Sequence, residues 1–488
     1  MIRTCLPRLA LASACAAALA GCVSMAPRYQ RPDAPVAAQF RDAPAGDASA
    51  GAVAELDWRK VFLDARLQQV IALALDNNRD LRVAVLDIEK ARAEYRIQRA
   101  NLLPSVDASG SYTAERSAST GGGSQVSRSA SAEVGFSSWE LDLFGRIRSL
   151  KNEALETYLA TEQTQRDTRL SLVAEVAGDW LTVAADQQLL ALARQTYESQ
   201  RKTLELTERR YAEGVDSGVD LASVQSSVES ARTDVASYAT ALAQARNALE
   251  LVVGAPVADE LLPDPAAGAD AVAVALAPLP ANLSSAVLLQ RPDVLYAEHT
   301  LKAANADIGA ARAAFFPTIA LTAASGRSSD ALSDLFKGAA TRTWSFVPSI
   351  TLPIFHAGEL KAELDEARIS KNIYVADYEK AIQTAFSEVA DALAERAHVD
   401  EQLDAQRAYV AATGRSYELA EARWRNGVDS YLDALTAQRS YYSAQQDLIS
   451  LRLTEATNRV TLYKVLGGGA DAQSGQTGQA GTVEPAGS

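Results

Sequence analysis

A run of residues that recurs at a fixed distance constrains this chain more than any single motif. Asn101-Leu102-Leu103-Pro104-Ser105 returns as Ala314-Phe315-Phe316-Pro317-Thr318, an offset of 213 positions. The same offset carries Gly145 to Gly358, Glu175-Val176-Ala177 to Glu388-Val389-Ala390, and Val253-Gly254 to Leu466-Gly467. It also carries Gly214-Val215-Asp216-Ser217 to Gly427-Val428-Asp429-Ser430. A constant shift over about 150 positions marks two copies of one structural unit. The length of 488 residues is one unit used twice, not several unrelated domains.

Each copy reads in the same order. A helix spans about 65–101, then 285–314, and stops at a proline before an extended stretch. Two strand-like segments follow, separated by a Ser/Gly-rich loop, then a very long helix, a short Gly-containing turn and a second long helix. Repeat 1 is expected over 61–254, with a β-hairpin at 105–143 and long helices at 147–253. Repeat 2 is expected over 283–466, with a hairpin at 318–352 and long helices at 359–466. A Pro- and Ala-rich linker at 255–282 joins them, and 467–488, rich in Gly, Ala, Gln and Ser, reads as a disordered tail.

No proline interrupts Ile147 to Ala212 or His356 to Leu466. At 1.5 Å per residue, the first of these runs would span about 100 Å as one helix. Tyr378, Ile382, Phe386, Val389 and Leu393 fall on one stripe, as do Leu155, Leu159, Leu170, Val173, Val176, Trp180 and Val183 in the first copy. Helices of this length cannot stand alone in water and must pack as coiled coils.

Residues Ser105–Thr113 and Ala130–Leu143 alternate apolar and polar side chains, and Ile319, Leu321 and Ala323 do so in the second copy. Trp344, Phe346, Pro348 and Ile350 share a face opposite Ser345 and Ser349. Segments of about ten alternating residues fit transmembrane β-strands, with Glu115–Arg128 and Arg327–Arg342 as polar loops. Four strands cannot close a barrel, and an open edge in hydrocarbon leaves backbone amides unsatisfied. Membrane strands would therefore require several chains to share one barrel: two chains reach eight strands, three reach twelve. The soluble alternative is two hairpins lying on a helical body.

The N-terminus is an address. Arg3 and Arg8 precede an apolar stretch from Leu9 to Ala20, the pattern of a secretory signal peptide over 1–21. Leu19-Ala20-Gly21-Cys22 resembles a bacterial lipobox, so Cys22 is expected to be lipidated and to open a mature N-terminal segment over 22–60. Residue 23 is Val, not the Asp that retains such lipoproteins at the inner membrane, which points to the outer membrane.

Composition excludes other classes. A formal charge of −14 disfavours a nucleic-acid surface, which needs clustered positive charge. No run of about 20 apolar residues occurs beyond the leader, so no membrane-spanning helix is expected. His299, His356 and His398 are scattered without neighbouring ligands, so neither a metal site nor a resident cofactor is expected, apart from lipid on Cys22, and no nucleophile–base pair suggests an enzyme.

These motifs together resemble the outer membrane factor, or TolC-like, family of tripartite efflux and secretion systems, and most closely its lipoprotein efflux branch. The matching stretches are Trp58-Arg59-Lys60-Val61-Phe62, Asn78 to Leu81, Trp139-Glu140-Leu141-Asp142-Leu143-Phe144-Gly145-Arg146 and Gln290-Arg291-Pro292-Asp293-Val294. Phe315-Phe316-Pro317, Gly427-Val428-Asp429-Ser430-Tyr431-Leu432 and Leu462-Tyr463-Lys464-Val465-Leu466-Gly467-Gly468-Gly469 complete the match, over about residues 26–469. The resemblance implies a mainly α fold with a small β part. It further implies a homotrimer whose 12-stranded transmembrane barrel, four strands per chain, continues as a long periplasmic α-helical coiled-coil barrel. It implies a lipid-anchored outer-membrane conduit, partnered by a periplasmic adaptor and an inner-membrane pump.

The same resemblance assigns site residues. Gly214, Val215, Asp216 and Ser217, with Gly427, Val428, Asp429 and Ser430, would form the adaptor-docking tip, preceded by Arg210-Tyr211 and Arg423-Trp424. Leu432, Asp433 and Arg439 match periplasmic gate positions, each becoming a ring of three in a trimer. A second acidic tier is missing, because Thr436 stands where it would be. The plainer reading of these residues is a turn, a cap and a solvated helix face. Efflux of drugs or other small molecules is the expected function. Protein or metal-ion export by the same architecture, and a periplasmic coiled-coil scaffold lipoprotein, are the alternatives.

Overall fold

The structure is a computed structural model that describes residues 24–41, 57–119, 123–264, 284–338 and 340–468. The signal peptide, Cys22, much of the linker and the C-terminal tail beyond residue 468 lie outside the described residues. In chain order the elements are α1 (Trp58–Val61), α2 (Ala65–Asn77), α3 (Arg79–Ala100), β1 (Asp107–Ser119), β2 (Gly123–Glu140), α4 (Arg146–Ala212) and α5 (Gly218–Val253). The second copy supplies α6 (Pro292–Ala313), β3 (Thr318–Ser329), β4 (Thr341–Thr351), α7 (Glu359–Arg425) and α8 (Tyr431–Val465). Among the described residues no helix is long and apolar enough to cross a membrane.

The 213-residue offset reappears in three dimensions. α4 and α7 are each 67 residues long. The positive-φ glycines among the described residues fall in three pairs at that offset: Gly145 with Gly358, Gly214 with Gly427, and Gly254 with Gly467. The first expected helix differs from the reading above, because it is two helices. Asn78, with φ −62° and ψ 134°, breaks the run after α2. Its side-chain oxygen accepts from the Leu81 N–H at 2.8 Å and its amide donates to the Val252 carbonyl at 2.7 Å. Asn78 offsets part of the cost of the break by capping one of the first N–H groups of α3.

The chain divides into two compact units. One contains residues 87–162 and 296–379 with the described start of the chain, and holds all four strands. These form one antiparallel sheet in the order β1-β2-β3-β4. The hairpins are longer than the sequence pattern indicated. Pairing runs from Asp107↔Gly135 to Ser119↔Gly123, so Glu115–Ser119 and Gly123–Arg128 are strand, not loop. Polar alternation does not oppose pairing, and ladder bonds extend as far as facing backbone is available. A bulge between Phe136 and Trp139 interrupts the β2–β3 register, with Ser138 at φ 53° donating its N–H to Thr322 Oγ1 at 3.0 Å. β1 and β4 are the sheet's two edges. On β4, Trp344, Phe346 and Ile350 are exposed.

The other unit contains the described residues of 34–86, 163–295 and 380–468. Its core gathers Trp58, Phe62, Leu67, Val70 and Ile71 from the N-terminal segments with Leu170, Val173, Val176, Trp180 and Val183 of α4, the stripe read from the sequence. Leu249 and Val253 of α5 and Val460 and Tyr463 of α8 close it. Trp180 donates its indole N–H to the Leu261 carbonyl at 2.9 Å, so the one polar atom of that large side chain is satisfied. Phe40 stacks on Phe386 with ring centroids 4.7 Å apart.

Arg291 is the main polar pin of this unit. It is 8% exposed and donates to both Asp293 carboxylate oxygens (3.0 and 2.7 Å), to Glu388 (2.7 Å) and to the Val465 carbonyl at the end of α8 (2.8 Å). A cation at a helix C-terminus satisfies an orphan carbonyl and complements the dipole.

Candidate functional site

The two turns that follow the longest helices are built alike. At the end of α4, Val215 N–H donates to the Arg210 carbonyl at 2.8 Å and Gly214 N–H to the Tyr211 carbonyl at 2.9 Å. At the end of α7, Val428 N–H donates to Arg423 and Gly427 N–H to Trp424, both at 2.9 Å. These paired bonds are the Schellman motif, which requires a left-handed residue at the glycine position. Gly214 has φ 75° and Gly427 φ 72°. A Cβ at either would meet no atom within 4 Å, so substitution there costs backbone strain and nothing else. Gly427→Ala is expected to destabilise the tip by about 1–2 kcal/mol, while Gly427→Asn is nearly neutral. Hydrogen exchange at the end of α7 measures the difference.

Each turn is also fastened by an ion pair that repeats at the same offset. Arg210 Nε donates to both oxygens of Asp216 (3.0 and 2.9 Å), and Arg423 donates to Asp429 (2.5 and 2.8 Å). The Arg423 bond and charge hold the Asp429 carboxyl below its ordinary range. The two aspartates therefore face back onto their own helices. Val215 and Val428 stay exposed, which makes them the apolar points a partner could grip.

A small core ties the two turns together. Trp424, Tyr431, Ala434 and Leu435 of the second copy pack on Val224 of the first. Trp424 and Tyr431 meet edge-on with centroids 5.2 Å apart, and the Arg210 guanidinium lies 5.6 Å from the Trp424 ring centre. Tyr431 donates its hydroxyl to Gln200 Oε1 at 3.3 Å, and Gln200 donates to Gln438 at 2.5 Å. Burial pushes the Tyr431 hydroxyl up to about 12, so it remains a donor at any physiological pH. Sequence reasoning does not single out Gln200 or Gln438, and it names Trp424 only within the motif that precedes the second turn. Their contacts cross between helices far apart in the chain, although Arg210 and Arg423 carry a signal in their shared offset.

Leu432, Asp433 and Arg439 all lie on α8 and are exposed. The structure does not bring Asp433 and Arg439 together within one chain. Asp433 instead accepts from Ser430 Oγ at 2.8 Å, as Asp220 accepts from Ser217 Oγ at 2.6 Å in a capping box at the start of α5. Leu432 is 64% exposed. Arg439 makes no ion pair among the described residues and lies near Tyr431, whose hydroxyl its charge pulls down against the larger effect of burial. Among the described residues, no group of three His, Cys, Asp or Glu side chains converges on a point. His299 bonds Glu156 at 2.7 Å.

Comparison with known proteins puts this geometry in context. The sequence profile described as outer membrane efflux protein matches residues 70–255 and 283–468, one segment for each copy of the repeat. The antibiotic efflux pump outer membrane protein ArpC of Pseudomonas putida is 48% identical over 472 residues, covering 96% of each chain. OprJ, an outer membrane protein of Pseudomonas aeruginosa, is 41% identical over 454 residues, covering 92% of this chain and 94% of its own. Among solved structures, the open state of the Neisseria gonorrhoeae MtrE outer membrane channel superposes with a TM-score of 0.81 at 39% identity, covering 92% of this chain and 98% of that one.

Proposed function

This chain belongs to the outer membrane efflux protein family, and from that premise we propose a passive, gated conduit assembled from three copies of it. The chain is an outer-membrane channel component of an efflux system, and it resides in the outer membrane with its helices in the periplasm. The observation that carries the assembly is the open sheet. Its four strands leave two edges and expose Trp344, Phe346 and Ile350. Three copies would join edge to edge into a closed twelve-stranded barrel, satisfy the edge amides and give those side chains a lipid surface.

The remaining parts follow. A periplasmic adaptor docks on the exposed Val215 and Val428 at the tips, and an inner-membrane pump supplies the energy. Leu432, Asp433 and Arg439 line the constriction that must open. Cys22 carries the lipid anchor. A relative at 48% identity is described as a toluene efflux pump outer membrane protein and another as an antibiotic one, which supports small apolar or amphipathic cargo. Deletion of the gene is expected to lower the growth-inhibiting concentration of such compounds, restored by the intact gene. Unchanged susceptibility to antibiotics and solvents together would overturn the cargo class.

A further inference from the structure

The described start of the chain is a strap. Met25 to Arg31 runs extended and antiparallel along α6, a reach of about 20 Å on both counts. The Met25 carbonyl accepts from Arg312 at 3.1 Å, and the Pro27 carbonyl from the Asn305 amide at 2.7 Å. Between these two bonds the strap passes Gly309 so closely that a Cβ there would lie 2.7 Å from Ala26 N and 2.9 Å from its Cα. At the far end Arg31 (2.6 Å) and the Tyr29 hydroxyl (3.3 Å) both donate to Glu298, with Lys302 3.0 Å from the same carboxylate. Burial alone would raise the Glu298 carboxyl, but the Arg31 and Lys302 bonds hold it below its ordinary range.

The strap delivers its leading end to an open pocket of about 420 Å³ lined by Met25, Arg312, Phe315, Phe316 and Leu364. Phe316 is held by stacking on Phe144, with centroids 4.8 Å apart, while about two-fifths of each of Phe315 and Phe316 remains exposed. The pocket sits where α6 ends and β3 begins, at Thr318. Cys22 is three residues before Met25, which limits its distance to about 10 Å.

We propose that this pocket seats an acyl chain carried by Cys22, with the strap as the device that aims it there. The inference rests on the reading of Cys22 as a lipidated residue. Extended chain bonded at fixed points cannot wander, so the anchor is held beside the aromatic junction instead of swinging freely on a tether. The apolar walls and the polar rim at Arg312 fit an acyl chain entering beside its thioether and amide linkages.

The test replaces Phe315 by a benzophenone-bearing phenylalanine in the full-length lipoprotein, purified from the outer membrane, irradiated and digested. Mass analysis of the N-terminal peptide first reports whether Cys22 is acylated. An adduct joining position 315 to the acylated N-terminal peptide is expected. That adduct should be lost in Cys22→Ser and in Gly309→Leu, whose side chain displaces the strap. Asn305→Ala combined with Arg312→Gln loosens the strap without adding bulk and should also lose it. Adducts to phospholipid alone, or none, with Cys22 acylation confirmed would overturn the seat and leave the anchor intact. A Cys22 peptide without lipid would overturn both, and is read separately.

Discussion

Asp433→Ala and Arg439→Ala should each raise the single-channel conductance of the assembled channel in planar bilayers severalfold, while Asp220→Ala should not. The comparison is informative because Asp433 and Asp220 are equivalent residues of the two copies. Both stand in the first turn after a tip, and both accept from a serine hydroxyl, Ser430 at 2.8 Å and Ser217 at 2.6 Å. Losing the Asp220 capping box costs about 1 kcal/mol of local helix stability, whereas Asp433 holds only the Ser430 hydroxyl and caps no backbone N–H. The surroundings differ as well. The first copy has Ser226 where the second has Arg439, and Val219 where the second has Leu432. If three copies bring Asp433 and Arg439 of different chains together, the second copy alone holds an ionic latch beside an apolar ring, and a narrow charged passage is where a few side chains control ion flow. Equal effects of Asp220→Ala and Asp433→Ala would reduce the gate to a local serine–aspartate contact. No effect of Arg439→Ala would remove the latch.

Arg291→Leu should destabilise the protein strongly, lowering its midpoint of thermal unfolding by at least about 5 °C. The guanidinium satisfies Asp293, Glu388 and the Val465 carbonyl at once. Removing it leaves Glu388 and the Val465 carbonyl without this donor and Asp293 with the Val294 N–H alone; breaking a fully buried pair costs about 3–5 kcal/mol, and the part-exposed carboxylates put this loss at the lower end of that range. Asp167 lies in the same field. Its burial raises its carboxyl, and Asp293 adds to this, against the opposing charges of Lys464 and Arg291. An acid with a raised pKa in the folded state weakens the fold above that pKa and ceases to do so as pH falls below the ordinary Asp range. Asp167→Asn should therefore stabilise the protein at neutral pH, and its advantage should shrink on acidification. A midpoint shift of the same size at both pH values would assign the effect to something other than charge. Arg291→Lys, which keeps the charge and loses the fork, separates geometry from electrostatics.

Much of this was visible in the amino-acid sequence because the chain states it twice. The offset between Gly214 and Gly427 marks both tips, and the stripe from Leu170 to Val183 marks the face that packs in the core. Alternation around Trp344 marks β4. Three features were not legible. The break at Asn78 was hidden because it depends on an amide reaching Val252, 174 residues away. The upper parts of β1 and β2 read as loop because Ser, Gly and Arg carry no apolar alternation, yet backbone pairing continues through them. The Tyr431–Gln200–Gln438 chain joins Gln200 to residues more than 200 positions away in sequence, and polar residues on a long helix give no sign of which of them will meet. Asp433 shows the opposite case. Its residue type fits the gate position that the resemblance implies, and the structure adds a local bond from the Ser430 hydroxyl to the same carboxylate within each chain.

The equal length of α4 and α7, 67 residues each, restricts how a protein of this design can change. One residue inserted in either helix would turn everything beyond it by about 100°, carrying residues such as Trp180 or Val389 out of the core and charged neighbours into it. Insertions of about seven residues restore the facing, but in one copy alone they would separate Trp424 from Arg210, and Tyr431 from Gln200, the contacts that join the two copies at the tips. Length can therefore drift only in whole pairs of turns and in both halves of the chain together. Natural variants of this architecture should differ in reach by steps of about 10 Å, and every such step should appear twice in the sequence.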